Sequence, residues 1–236
     1  MDTDILAAVR EELLQSADEN TRMSAQRFFK EDVKFYGVKS AQVKKIAVKH
    51  QKMIMGRNKR QIFSLCEDLL RSNYGEEAFI AFEWAYSLRR SFVPEDFLVF
   101  EKWVEQYVDN WAKCDTLCNH TIGSFIEMYP EFLKNLKEWA HRDNRWLRRA
   151  SAVTLILPAR KGEFLSDVFE ISDLLLQDKD DMVQKGYGWM LKEASRKHQE
   201  EVFGYVMQNR AKMPRTALRY ALEKMPAEMR KKAMER

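Results

Sequence analysis

The stretch Asp143-Asn-Arg-Trp-Leu-Arg-Arg-Ala150 decides the fold, because it returns in altered form as Lys179-Asp-Asp-Met-Val-Gln-Lys-Gly186, 36 residues further on. In each copy an apolar residue (Leu147, Val183) precedes a polar or basic pair (Arg148-Arg149, Gln184-Lys185) and then a small residue (Ala150, Gly186). The small residue lets a neighbouring helix approach closely. A period of this size is close to that of stacked helical pairs. An irregular helical bundle is the other arrangement the same helices could take.

Outward from these two segments, apolar spacing is helical almost everywhere. It predicts helices at about 3–17, 19–31 and 40–54, a fourth that holds Ile62, Phe63, Leu65, Leu69 and Leu70, a strongly buried fifth that holds Ala78, Phe79, Phe82, Trp84, Ala85 and Leu88, and helices at about 94–109 and 112–128. Further helices are expected at about 130–141, 144–160, 163–177, 180–197, 199–210, 214–224 and 227–235. Met23 and Phe28 share a stripe of the second. Ser40 reads as the N-cap of the third, and Pro94 fits the first position of the sixth. Pro130 and Pro214 are placed for helix starts, and Pro158 is expected to end or kink its helix. Five Pro and eight Gly in 236 residues argue against a many-stranded sheet. No linker separates domains, so residues 1–236 read as one all-α domain.

With 45% hydrophobic and 32% charged residues the composition is that of a globular protein. No apolar run approaches the roughly 20 residues that span a bilayer. The opening MDTDILAAVREELL has acids and no basic region, so no signal peptide is expected. Three cysteines, Cys66, Cys114 and Cys118, suit a reducing cytoplasm better than a disulfide scaffold. The net charge of +4 is unevenly placed. No acid lies between Asp32 and Glu67, a stretch that carries Lys34, Lys39, Lys44, Lys45, Lys49, Lys52, Arg57, Lys59 and Arg60. A second basic cluster holds Arg142, Arg145, Arg148, Arg149, Arg160 and Lys161, opposed in sequence only by Asp143. Such segregation is expected of a polyanion-binding face, although lysine runs are commonly solvated helix faces.

Trp111-Ala-Lys-Cys-Asp115 carries the chemistry. If a helix restarts after Asp109-Asn110, the indole and the carboxylate leave one face a turn apart. An aromatic plate beside an anion suits a flat substrate that acquires positive charge. Lys185-Gly-Tyr-Gly-Trp-Met-Leu-Lys192 offers a second indole, Trp189, with a basic residue on the next turn. A tryptophan in a helical protein is usually core, which is how Trp84, Trp103, Trp139 and Trp146 are read. Asp115 could equally cap a helix. Cys114-x-x-x-Cys118 with His120 lacks a convincing fourth zinc ligand, so buried thiols are the better reading and no metal is expected. No glycine-rich phosphate loop is present, and no organic cofactor is expected.

Read in order, Gly37-Val38-Lys39, Trp111-x-x-x-Asp115, Trp146-Leu147-x-Arg149-Ala150 and Gln184-Lys185-x-x-Gly188-Trp189-x-Leu191 resemble bacterial alkylpurine DNA glycosylases of the AlkD type. The resemblance runs from the first helix to about residue 208. It implies an all-α, HEAT-like helical-repeat solenoid, an α-α superhelix with a concave basic face, holding duplex DNA that contains alkylated purines. By position it implies that Trp111 and Trp189 contact the lesion-bearing nucleotide and that Asp115 is the catalytic carboxylate. Arg149 would help hold the DNA backbone. Phe28 stands where the family commonly has Tyr, and Lys192 where it commonly has Arg, which keeps charge but loses a bidentate fork. With Arg148, Lys185, Lys39, Lys44 and Lys45, these residues make up the expected DNA-contacting set.

The expected activity is monofunctional hydrolysis of the N-glycosidic bond of N3- or N7-alkylated purines by a cytoplasmic monomer. A non-catalytic protein for damaged or branched DNA and a protein–protein scaffold are the competing functions. Base release from methylated duplex DNA separates the first from the second, and salt-dependent DNA binding separates the second from the third.

Overall fold

The computed structural model describes residues 2–235. Among these, no strand forms, and extended pairing is limited to one parallel bridge between Lys34 and Tyr74. The chain divides into two compact units, residues 1–117 and 118–236, each taken by itself below.

The first unit contains α1 (Asp2–Gln15), α2 (Glu19–Gln26), α3 (Ser40–Ile54), α4 (Lys59–Leu70), α5 (Gly75–Ser87), α6 (Asp96–Tyr107) and α7 (Trp111–Thr116). Helix α5 is its centre and packs on α3, α4 and α7. The reason is compositional, since Ala78, Ile80, Ala81, Phe82, Trp84 and Ala85 bury almost every face of it. Trp84 and Trp103 are fully buried, as expected of core indoles, and the Trp84 Nε1 donates to the Ala47 carbonyl at 2.9 Å. Helix α2 differs from the others in that none of its side chains is buried. The Met23–Phe28 stripe does not face a core; these residues are 53% and 71% exposed. The helix also stops at Gln26 rather than near 31, because the Gln26 side-chain amide donates to the Glu31 carbonyl and the chain turns through Arg27–Phe29.

Two expected helix starts are corrected. Ser40 is the first residue of α3 and not its cap; Lys39 occupies the cap position with no side-chain cap bond. The cause is Glu76, whose buried carboxylate accepts from the backbone N–H groups of Tyr36, Gly37 and Val38 at 3.1, 2.9 and 3.0 Å and so fixes where the helix can begin. Pro94 lies ahead of α6, which starts at Asp96. The buried Asp96 carboxylate accepts from Val93 N at 2.8 Å and from Lys59 Nζ at 2.6 Å, holding Pro94-Glu95 in a turn.

The second unit follows a π-helical turn, Leu117–Ile122, and contains α8 (Gly123–Met128), α9 (Leu133–Trp139), α10 (Arg145–Val153), α11 (Ile156–Lys161), α12 (Leu165–Leu174), α13 (Asp181–Ala194), α14 (Gln199–Asn209), α15 (Arg215–Leu222) and α16 (Ala227–Met234). The 36-residue recurrence marks the starts of α10 and α13, which pack against each other. Gly186 permits the approach, since a Cβ there would sit 3.3 Å from Arg149 Cγ and 3.5 Å from Val153 Cγ1. Trp139 and Trp146 are buried, as expected. The helix expected at 144–160 is two helices broken at Thr154-Leu155. Pro158 is neither the break nor the end; it is the third residue of α11, where its missing N–H costs nothing. Pro130 opens a 3-10 turn before α9, and Pro214 caps α15.

Candidate nucleic-acid interface

Helix α7 is short and its two faces differ in kind. Its start is set by Asn110, whose side chain accepts from Lys113 N at 3.1 Å. Asn110 therefore does the capping, and Asp115, the fifth helical residue, does not. The inward face is Lys113 and Cys114, 2% and 0% exposed. Burial pulls the Lys113 ammonium below its usual range against the pull of Asp109. It is held by Asp109 at 2.8 Å and by the Asn73 side-chain oxygen at 2.5 Å. The outward face is Trp111 and Asp115, both half-buried. The indole and carboxylate stand one turn apart, on the face away from Lys113, as the sequence predicts.

Trp111 is also positioned from its far side. Its ring stacks on Phe29 with centroids 5.3 Å apart and planes 19° from parallel, and its Nε1 donates to the Phe28 carbonyl at 3.3 Å. The exposed Phe28 ring leaves a backbone oxygen, not a side-chain hydroxyl, at this place. Beside the indole lies an apolar cavity of about 610 Å³ walled by Phe28, Phe29, Phe35, Phe79, Val43 and Trp111.

The Gly37-Val38-Lys39 segment is structural first. Gly37 has φ +91, and a Cβ would fall 2.3 Å from the Asp18 carbonyl oxygen. Glu76 holds this loop, and Glu77, also fully buried, accepts from the Tyr36 hydroxyl at 2.7 Å and pairs with Arg10 at 3.0 Å. Burial, followed by that bond to Glu77, pushes the Tyr36 hydroxyl pKa up. Neither glutamate stood out in the sequence. The signal available was two adjacent acids just after Gly75 in an otherwise apolar helix. The loop delivers Lys39 to the start of α3, where Lys39, Lys44 and Lys45 are exposed, with no ion pair to any acid among the described residues.

In the second unit Trp189 is half-buried, its Nε1 3.3 Å from a Glu193 carboxylate oxygen. Glu193 is 3% exposed and also accepts from Arg160 at 2.7 Å and Arg196 at 2.5 Å. Burial pushes its carboxyl up, but the two guanidinium groups outweigh this and hold it below the usual range. The second basic cluster is not the open face that its sequence suggests. Arg148 pairs with Asp178 at 2.7 Å and donates to the Arg142 and Asp143 carbonyls. Arg145 pairs with Asp180, and Lys161 with Glu127. Arg149 is 5% exposed and donates to the Met182 carbonyl. The acids that neutralise these groups lie about 30 or more residues away in sequence, so a count of local charge misses them. Lys185 pairs with Asp181 at 3.1 Å, and the 12%-exposed Lys192 side chain with Glu223 at 3.0 Å.

Gly188 sets the neighbourhood of Trp189. A Cβ there would meet Tyr220 Cβ at 2.7 Å and the Ala217 carbonyl oxygen at 2.8 Å, so α13 and α15 touch backbone to backbone. We expect Gly188→Ala to force α15 outward and cost about 1–3 kcal/mol, read as a lowered urea midpoint. An unchanged midpoint would show that the helices can part at no cost.

Among the described residues no helix is long and apolar enough to cross a membrane, and no group of His, Cys, Asp and Glu side chains could hold a metal ion. All three cysteines are buried and unbridged.

The fold is all-α, and one short helix presents an indole and a carboxylate on one face. The chain belongs to the DNA alkylation repair enzyme family, whose model matches residues 9–225. The match extends past residue 208, where the resemblance was expected to end, and takes in α15. A solved structure described as a predicted DNA alkylation repair enzyme from Enterococcus faecalis has the same fold. It superposes with a TM-score of 0.80 at 16% identity, over 90% of this chain and 98% of that one. No curated protein matches the sequence.

Proposed function

We propose that this chain is a monofunctional DNA glycosylase that hydrolyses the N-glycosidic bond of cationic N3- or N7-alkylated purines in duplex DNA. The observation that carries the reading is the outward face of α7, with Trp111 and Asp115 one turn apart and the opposite face locked by Lys113.

Alkylation at N3 or N7 leaves the purine positively charged and already a good leaving group. As the bond from C1′ to N9 breaks, its electron pair goes to the base, neutralising it, and positive charge builds on the deoxyribose. Asp115 stabilises that charge, and water then adds at C1′ with loss of a proton. A strong acid to protonate the base is not required, nor is a closed pocket, because lesion charge itself provides discrimination. Trp111 and Trp189 are each assigned contact with the lesion-bearing nucleotide, with cation–π attraction from the ring face. Lys39, Lys44 and Lys45 are assigned phosphate contacts, supported by their exposure and by the absence of an ion pair at any of them among the described residues. For Arg148 and Arg149 the same assignment is weakened by the bonds they already make. The HEAT-like description of the stacked helices, action as a monomer and work in a reducing cytoplasm belong to this reading.

The test is release of 7-methylguanine and 3-methyladenine from methylated duplex DNA by the wild type and by Asp115→Asn. Release that depends on Asp115 supports the reading. Salt-dependent DNA binding without release by the wild type would replace it with a non-catalytic DNA-binding function.

A further inference from the structure

We propose that a recess between α13 and α15 is a second phosphate site, gripping a backbone phosphodiester of the duplex beside the nucleotide assigned to Trp189. The inference rests on the reading of this chain as a DNA-binding repair enzyme. The recess has a volume of about 470 Å³ and is lined by Lys185, Arg215, Thr216, Arg219, Tyr220 and Glu223.

Its charge is the first argument. Arg215 and Arg219 stand a turn apart on α15, both are exposed, and neither pairs with an acid among the described residues. The natural partner of Arg219 one turn along its own helix is Glu223. That carboxylate is drawn instead to Lys192, at 3.0 Å. Lys192 therefore offsets the charge of an acid that lines the recess, which leaves the two guanidinium groups without an acidic partner. The second argument is the helix itself. Pro214 occupies the cap position of α15 and supplies no side-chain acceptor, so the first N–H groups, at Arg215 and Thr216, lie uncapped at the recess. The third is placement. Lys185 precedes Trp189 by one turn of α13, and the Lys192 ammonium lies 6.0 Å from the Trp189 ring centroid and 5.8 Å from that of Tyr220. Gly188 holds the two helices at backbone contact, so α15 stands against the helix that carries the indole. The arginines of α10 are engaged by acids and carbonyls. Among the helices packed on α13, α15 is the one whose arginines no acid among the described residues engages.

The test is the salt dependence of binding to an undamaged duplex oligonucleotide. Replacing both arginines (Arg215→Gln with Arg219→Gln) should lower the magnitude of the log–log salt slope by roughly 1–2. The corresponding double Lys variant should retain the slope, and Glu223→Gln should tighten binding. Melting temperatures should match the wild type, because both arginines are exposed. An unchanged slope in the Gln double variant overturns the site, and so does a wild type that binds no DNA. Displacement of the duplex by submillimolar inorganic phosphate at constant ionic strength overturns it too, assigning the recess to a free anion. Base release is assayed on the same preparations. A wild type that shows the expected slopes but no release sinks the glycosylase reading and leaves the phosphate site standing.

Discussion

Asp115→Asn should lower excision of 7-methylguanine by roughly a hundredfold or more, the scale on which removal of a principal electrostatic stabiliser is felt. The substitution keeps the shape and removes the anion. Folding should be little affected, because Asn110 caps α7 and the buried anchor of that helix is Lys113 with Asp109. A capping role for Asp115 would have predicted the opposite, a loss of about 1 kcal/mol in stability with unchanged chemistry. Affinity for DNA should not fall, since a carboxylate repels phosphate. Single-turnover excision and thermal melts on one preparation measure both. Wild-type excision by a well-folded variant would remove Asp115 from the mechanism.

Glu76→Ala should be strongly destabilising to the first unit. The Glu76 carboxylate is 2% exposed and is the acceptor for three consecutive backbone N–H groups. Taking it away leaves those donors without a partner, at about 1–3 kcal/mol each where they are buried. We expect a total of about 3–5 kcal/mol, a large fraction of the roughly 5–15 kcal/mol that holds a domain folded. At about 2–4 °C per kcal/mol for a chain of this size, the melting temperature should fall by roughly 10 °C. Glu76→Gln should be milder, because the amide oxygen still accepts. A melt within about 2 °C of wild type for Glu76→Ala would mean the loop at Gly37 is held by something else.

What could be read in advance divides by distance along the chain. Helix existence depends on residues three and four apart, so apolar spacing located nearly every helix, and Trp111 with Asp115 falls on one face as the i, i+4 rule requires. The recurrence of Leu147-Arg-Arg-Ala150 at Val183-Gln-Lys-Gly186 likewise marked two helices that do pack together. Helix starts at Ser40 and Pro94 were misplaced because carboxylates from elsewhere, Glu76 and Asp96, hold the preceding backbone. The basic residues of 142–161 make bonds within the fold for the same reason. Asp178, Asp180 and Glu193 come from another helical layer and pair with them, whereas Lys44 and Lys45 of α3 have no ion pair among the described residues. Arg215 and Arg219 could not have been chosen from sequence. What singles them out is that Glu223 leans toward Lys192, and that is a fact of side-chain geometry.

Helix α2 has a consequence for how the molecule comes apart. A segment with no buried side chain can detach without opening any hydrophobic core, so the free energy of its release is far below that of unfolding the unit to which it belongs. Its backbone amides should trade hydrogen with solvent long before those of α5, through excursions in which the rest of the first unit stays intact. Because Phe28 and Phe29 follow directly on α2 and support the Trp111 indole, each excursion also loosens the platform under that ring. A helix with no buried side chain is thus joined to the support of a residue to which the proposed function assigns contact with the lesion. A duplex that pressed on this helix would be stiffening the enzyme where it is softest.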